Sequence, residues 1–160
     1  MKISKLITLF LGVLLVTSCT ASAQEKTREC LATNTGYEFC VTPELVGQLS
    51  SEEMKASNGI YEQEVFEAGA ISAATVYYEH TQTKVKHILM GLYLFPEDKF
   101  DAAANPDEPP RFGQEVIRQN GTVFSVAGPQ DSMFEPETLD GKNVIRLYDA
   151  MYLAASWHKF

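Results

Sequence analysis

From Ile88 to Phe95 both alternating sets of positions are apolar, interrupted only by Gly91. A strand of that kind needs cover on both faces, so the pattern predicts a place in the middle of a sheet, ended by Pro96. Ile71 to His80 is β-branched and aromatic around Thr75, Val76, Tyr77 and Tyr78, and predicts a second strand, with Thr81-Gln82-Thr83 as the short connection. Asn120-Gly121 separates two strand-like runs between Gly113 and Gly128. It is the preferred two-residue hairpin turn, because both positions must tolerate positive φ. That turn sets Gln119 opposite Thr122 and Ile117 opposite Phe124, which leaves Ile117, Phe124 and Val126 on one side. Further on the period lengthens. Val144, Leu147, Tyr148, Met151 and Ala155 recur at helical spacing, with Arg146 and Asp149 off the stripe and Asp140 as the expected cap.

Weaker signals fill in the rest. Tyr37 to Val41 reads as a strand with Cys40 near its end, and Pro43 to Leu49 as a brief helix. Ser50 to Gly59 is charged and ends in the turn signal Asn58-Gly59. Ile60 to Phe66 is a Glu-rich strand candidate, and Pro96 to Ala104 a short helix with proline and acids at its start. Asn105 to Pro110 is a loop, and Trp157 and Phe160 are expected to close the core. There is no internal repeat. The fold class is therefore α+β: an antiparallel β-sheet flanked by helices, with a C-terminal helix after a β-hairpin, in a single domain over residues 30–160.

The chain opens with Lys2 and Lys5, then the apolar run Leu6 to Val16, broken only by Thr8 and Gly12, then small residues, the layout of an export signal. Within it Val16-Thr17-Ser18-Cys19 resembles the lipobox of bacterial lipoproteins. The resemblance implies a signal peptide over 1–18, lipidation of Cys19 as the new first residue, and a polar tether over 19–29. The competing reading cuts after Ala21-Ser22-Ala23 and releases a soluble periplasmic or secreted protein from Gln24. A transmembrane anchor is disfavoured, since a hydrocarbon core needs about twenty apolar residues. Thr20 rather than Asp after the cysteine, by resemblance to Gram-negative lipoproteins, favours the periplasmic side of the outer membrane.

Export fits the remaining cysteines. Cys30 and Cys40 form an even pair in an oxidising compartment, and between them Asn34, Thr35 and Gly36 suit a tight reversal. A redox-active role lacks the C-x-x-C motif, and a metal site lacks any histidine near either cysteine in the sequence. The whole chain carries 13 basic and 21 acidic side chains. Without Lys2 and Lys5 the mature part has a net charge of −10, which argues against nucleic acid and against adhesion to anionic head groups. Solubility is the commoner meaning of such a charge, and attraction of a cationic partner the other.

No constellation specifies an enzyme. His80, His87 and His158 stand in no metal-ligand spacing, and no nucleophile elbow, phosphate loop or dinucleotide fingerprint occurs. Asp98, Asp101, Asp107 and Glu108 gather along one helix and loop without the alternation of a calcium loop, so they read as a solvated acidic face. Two carboxyls facing each other across a cleft would suit glycoside hydrolysis, but linear order identifies no such pair. Asn120-Gly121-Thr122 fits a glycosylation pattern and reads here as the hairpin turn. Catalytic, cofactor-binding and metal residues are therefore expected to be none.

Ile88-Leu89-Met90-Gly91-Leu92-Tyr93-Leu94-Phe95, the Gly113–Gly128 hairpin and a helix ending in Ala154-Ala155-Ser156-Trp157 together resemble the PsbP/Mog1-like architecture found in small exported proteins. The resemblance implies a fold and a general binding role, and it transfers no functional residues. The expected function is a non-enzymatic envelope lipoprotein that binds a protein or small ligand and meets the membrane only through its lipid. The alternatives are an inhibitor of a basic envelope protein such as a lysozyme, a carboxylate-dependent envelope hydrolase, and a structural subunit of an envelope complex.

Overall fold

Cys30 and Cys40 face each other across an antiparallel hairpin, β1 (Glu29–Ala32) and β2 (Tyr37–Val41), and a disulfide joins them. The reversal between the strands is held by Thr33, whose hydroxyl donates to the Tyr37 carbonyl (2.6 Å), and by Gly36 at φ 79°. The computed structural model describes residues 27–105 and 107–160. The signal over 1–18, Cys19 and the tether up to residue 26 lie outside the described residues. Glu29, assigned to the tether, is the first residue of β1.

The predicted helix over Pro43–Leu49 is shorter, α1 (Pro43–Val46), and Leu49 instead begins strand β3 (Leu49–Glu53), which runs on into the charged segment Ser50–Gly59. Its Ser and Glu side chains suit an edge strand, where charge discourages pairing with a foreign strand. Ile60 to Phe66 is not a strand: it lies in α2 (Ile60–Glu67). Glu62, Gln63, Glu64 and Glu67 are good helix formers, and the Gln63 amide donates to Glu67 one turn on (2.7 Å). Only Val65 of this helix is fully buried, so the apolar signal was too thin to show a helical period.

β4 (Ser72–Glu79) and β5 (Lys86–Pro96) follow as expected, then α3 (Glu97–Ala103), β6 (Gln114–Gln119) and β7 (Thr122–Ala127). Among the described residues the larger sheet has the order β3-β4-β5-β7-β6, antiparallel throughout, with β5 in the middle. Asn120 (φ 52°) and Gly121 (φ 74°) make the hairpin turn, and Gln119 pairs with Thr122 and Ile117 with Phe124. Rows across the sheet alternate sides. Ala74, Leu92 and Val126 pair in one row and enter one core; Ala73 and Tyr93, one position along, enter the other. The second core is covered by Val65 of α2, Phe100 of α3 and Phe112.

The first core lies under α4 (Leu139–Met151), whose Val144, Leu147 and Met151 are buried and whose Tyr148 is half-buried. The helix is capped by Thr138, not Asp140: the Thr138 hydroxyl accepts from the Gly141 N–H (3.0 Å). It stops at Met151, so Ala155 falls in a 3₁₀ turn (Ala154–Ser156) and is exposed. Trp157 then starts β8 (Trp157–Lys159), which pairs with β2 and completes a second sheet, β1-β2-β8. Its ring is buried as expected, against Phe39 (4.7 Å) and Phe124 (4.8 Å), while its N–H donates to the Met151 carbonyl. Phe160 is not core closure, for 69% of it is exposed. The architecture is α+β: two antiparallel sheets with helices on both sides of the larger one.

Candidate functional site

The β4–β5 connection and the segment leading into α4 enclose a cleft of about 630 Å³, lined by His80, Gln82, Met133, Phe134, Leu139 and Asp140 among others. Asp140 was expected to cap the helix. Freed of that role by Thr138, its side chain turns inward, where the residue is 95% buried. One carboxylate oxygen accepts from the Tyr78 hydroxyl (2.8 Å) and the Thr81 N–H (2.9 Å). The other accepts from the Thr81 hydroxyl (2.9 Å) and faces His80 Nε2 at 3.4 Å. Burial raises the pKa of this carboxyl, but the donors from Thr81 and Tyr78 and the nearby imidazole outweigh it and hold the group below its ordinary value. Burial pushes Tyr78 the other way, up to about 12; the Asp140 charge adds to this and a hydrogen bond from Asn143 opposes it.

His80 is hydrogen-bonded at Nδ1, and its Nε2 faces Asp140. Its Nδ1 accepts from the Gln82 and Thr83 N–H groups (3.2 Å each), which puts the proton of the neutral ring on Nε2, the atom facing Asp140. An imidazole so held has no free lone pair for a substrate proton. The Asp–His pair is a clasp tying the β4–β5 turn to the start of α4. Phe134 packs edge-on against three rings, Tyr78 (5.7 Å), His80 (5.4 Å) and His87 (5.0 Å), and forms the aromatic wall. His87, on the central strand β5, is half-buried in that stack. Leu139 and Glu135 also line the cleft and are exposed.

Asp98, Asp101, Asp107 and Glu108 are all exposed. Asp101 turns to Arg118, which also holds Glu97 (2.8 Å) and Glu115 (2.7 Å). Asp98, Asp107 and Glu108 join no three-carboxylate cluster among the described residues. Hydrogen bonding from Arg118 holds the Asp101 carboxyl below its ordinary value. Every shifted carboxyl among the described residues (Glu44, Asp101 and Asp140) is shifted down, the wrong direction for a general acid.

Sequence separation concealed one further grouping. Pairing of β8 with β2 sets His158 opposite Glu38, one residue from Phe39 and two from Cys40, so His158 Nδ1 lies 3.4 Å from Cys40 Sγ and 3.9 Å from a Glu38 oxygen. A histidine does stand beside the cysteines, although 118 positions separate it from Cys40 in the chain. No helix among the described residues is long and apolar enough to cross a membrane. No family model, curated protein or solved structure matches the chain.

Proposed function

We propose that this chain is a non-enzymatic protein of the bacterial cell envelope, anchored by lipid on Cys19, that receives a protein segment or small ligand in the cleft lined by His80 and Phe134. The observation that carries this reading is the pair of backbone hydrogen bonds that occupies His80 Nδ1, beside an Asp140 whose oxygens already accept three hydrogen bonds. Such a cleft offers fixed polar and aromatic surface and no idle base, which is what binding needs and proton transfer does not. The downward-shifted carboxyls weigh against the hydrolase alternative. Exposed Glu135 at the cleft and the mature net charge of −10 favour a cationic occupant, the feature an inhibitor of a basic envelope protein would share. The PsbP/Mog1-like likeness belongs to the same proposal, at the level of architecture.

The test compares the mature protein with Leu139→Lys, a change at a residue 63% exposed and outside the core that sets a like charge against a cationic occupant. An envelope component should be retained by the wild type, released by high salt, and lost from the variant. Equal retention by both proteins rejects the cleft, and turnover of an envelope substrate rejects the non-enzymatic reading. Intact mass of protein taken from membranes checks the anchor: it should show acylation at Cys19 that Cys19→Ser abolishes.

A further inference from the structure

The disulfide sits in an unusual setting. Cys30 Sγ, Cys40 Sγ, a Glu38 carboxylate oxygen and His158 Nδ1 all lie within 4.8 Å of one another, on three adjacent strands of the smaller sheet. Two thiolates, one imidazole and one carboxylate are a donor set that a tetrahedral Zn²⁺-class cation accepts. With Zn–S of about 2.3 Å and Zn–N of about 2.0 Å, tetrahedral angles place sulfur and nitrogen about 3.5 Å apart. Cys40 and His158 already stand at 3.4 Å. The same arithmetic asks about 3.4 Å between nitrogen and oxygen, and His158 and Glu38 stand at 3.9 Å, within reach of a small side-chain adjustment. The two sulfurs are misplaced for a metal, because a bond holds them together.

We propose that Cys30, Glu38, Cys40 and His158 form a redox-gated metal site: closed as a disulfide, and open to a Zn²⁺-class divalent cation once the cysteines are reduced. The chemistry balances with a thiol reductant, RSH. Its thiolate attacks the sulfur of exposed Cys30, the S–S bond breaks, and Cys40 leaves as a thiolate beside His158. A second RSH releases Cys30, so that the disulfide and two RSH give two cysteine thiols and RSSR. The cation then binds both sulfurs and displaces two protons. Because the strands are already paired through Cys30–Cys40 and Glu38–His158, the ligands are brought together by backbone pairing as well as by the crosslink. Disulfide and metal are thus alternative staples of the same three strands, one for oxidising and one for reducing conditions.

The experiment titrates Co²⁺ into the mature protein in its disulfide form and after reduction, reading the sulfur-to-cobalt charge-transfer band. The reduced protein should take up one equivalent with that band and the disulfide form should show none. His158→Ala and Glu38→Ala should each weaken cobalt binding by about tenfold or more. Far-UV circular dichroism accompanies each variant, and Glu38→Gln replaces any alanine variant that does not fold. Three results overturn the proposal: no band in the reduced protein, equal affinity in the wild type and both variants, or a fold lost on reduction that cobalt does not restore.

Discussion

Replacing Asp140 probes the clasp most directly. The carboxylate accepts three hydrogen bonds and faces an imidazole, and a hydrogen bond to a buried charged group contributes about 1.5–3 kcal/mol, not additively. In Asp140→Asn one oxygen can still accept from Tyr78 and the Thr81 N–H, but the new NH₂ points at the Nε2–H of His80. The expected cost is about 2 kcal/mol. Asp140→Ala leaves the Thr81 N–H and the Tyr78 hydroxyl without this acceptor, and should cost about 4 kcal/mol. At roughly 4 °C per kcal/mol for a domain of this size, melting points should fall by about 8 and 16 °C. The assay is urea unfolding followed by fluorescence of Trp157, the chain's one tryptophan and a buried residue of the core against which α4 packs. Acidity adds a signature. The folded carboxyl titrates below its ordinary value of 3.8, so its contribution is full above about pH 4 and disappears as pH falls through the lower, folded value. The gap between wild type and Asp140→Asn should therefore shrink in acid. An Asn variant within 0.5 kcal/mol of wild type at pH 7 would refute the account of the clasp, using the usual scatter of surface changes as the yardstick.

Gly113 and Gly121 share positive φ but differ in surroundings: a Cβ at Gly113 would run into the backbone of Val126 and Ala127, while one at Gly121 meets open space. Gly113→Ala should cost at least about 3 kcal/mol and Gly121→Ala about 1 kcal/mol, measured by thermal unfolding. Replacing both Cys30 and Cys40 with serine should lower stability by about 3 kcal/mol under oxidising conditions and leave no difference from wild type once both are fully reduced without metal. Trp157→Ala should cost about 3–5 kcal/mol, whereas Phe160→Ala, at an exposed position, should stay within about 0.5 kcal/mol by urea titration.

Elements with a strong period of their own were legible in the chain. β5 declared itself by apolar residues on both alternating sets, and the Asn120-Gly121 turn fixed the β6–β7 register because few other sequences accept two positive φ values in succession. The misread elements are those whose signal comes from elsewhere in the molecule. β3 is a polar edge strand that β4 holds in place, β8 is too short for any period, and α2 buries one valine. The clasp was missed for a related reason. Asp140 has the right spacing for a cap, and nothing local shows that Thr138 takes that role while Tyr78 and Thr81, about sixty residues earlier, receive the carboxylate. His158 joined the cysteines only through β2–β8 pairing, which no spacing rule encodes.

That same pairing has a consequence for how the molecule comes into being. β2 has β1 as an immediate neighbour in the sequence, so its first seam can zip while most of the polypeptide is still being made. The other seam must wait for residues 157–159. Until they arrive, one flank of β2 shows bare amide and carbonyl groups to any passing strand, and Phe39 lacks the indole that shields it. A chain stalled just before Trp157 should therefore be the sticky species, prone to self-association although the larger sheet could already be in place.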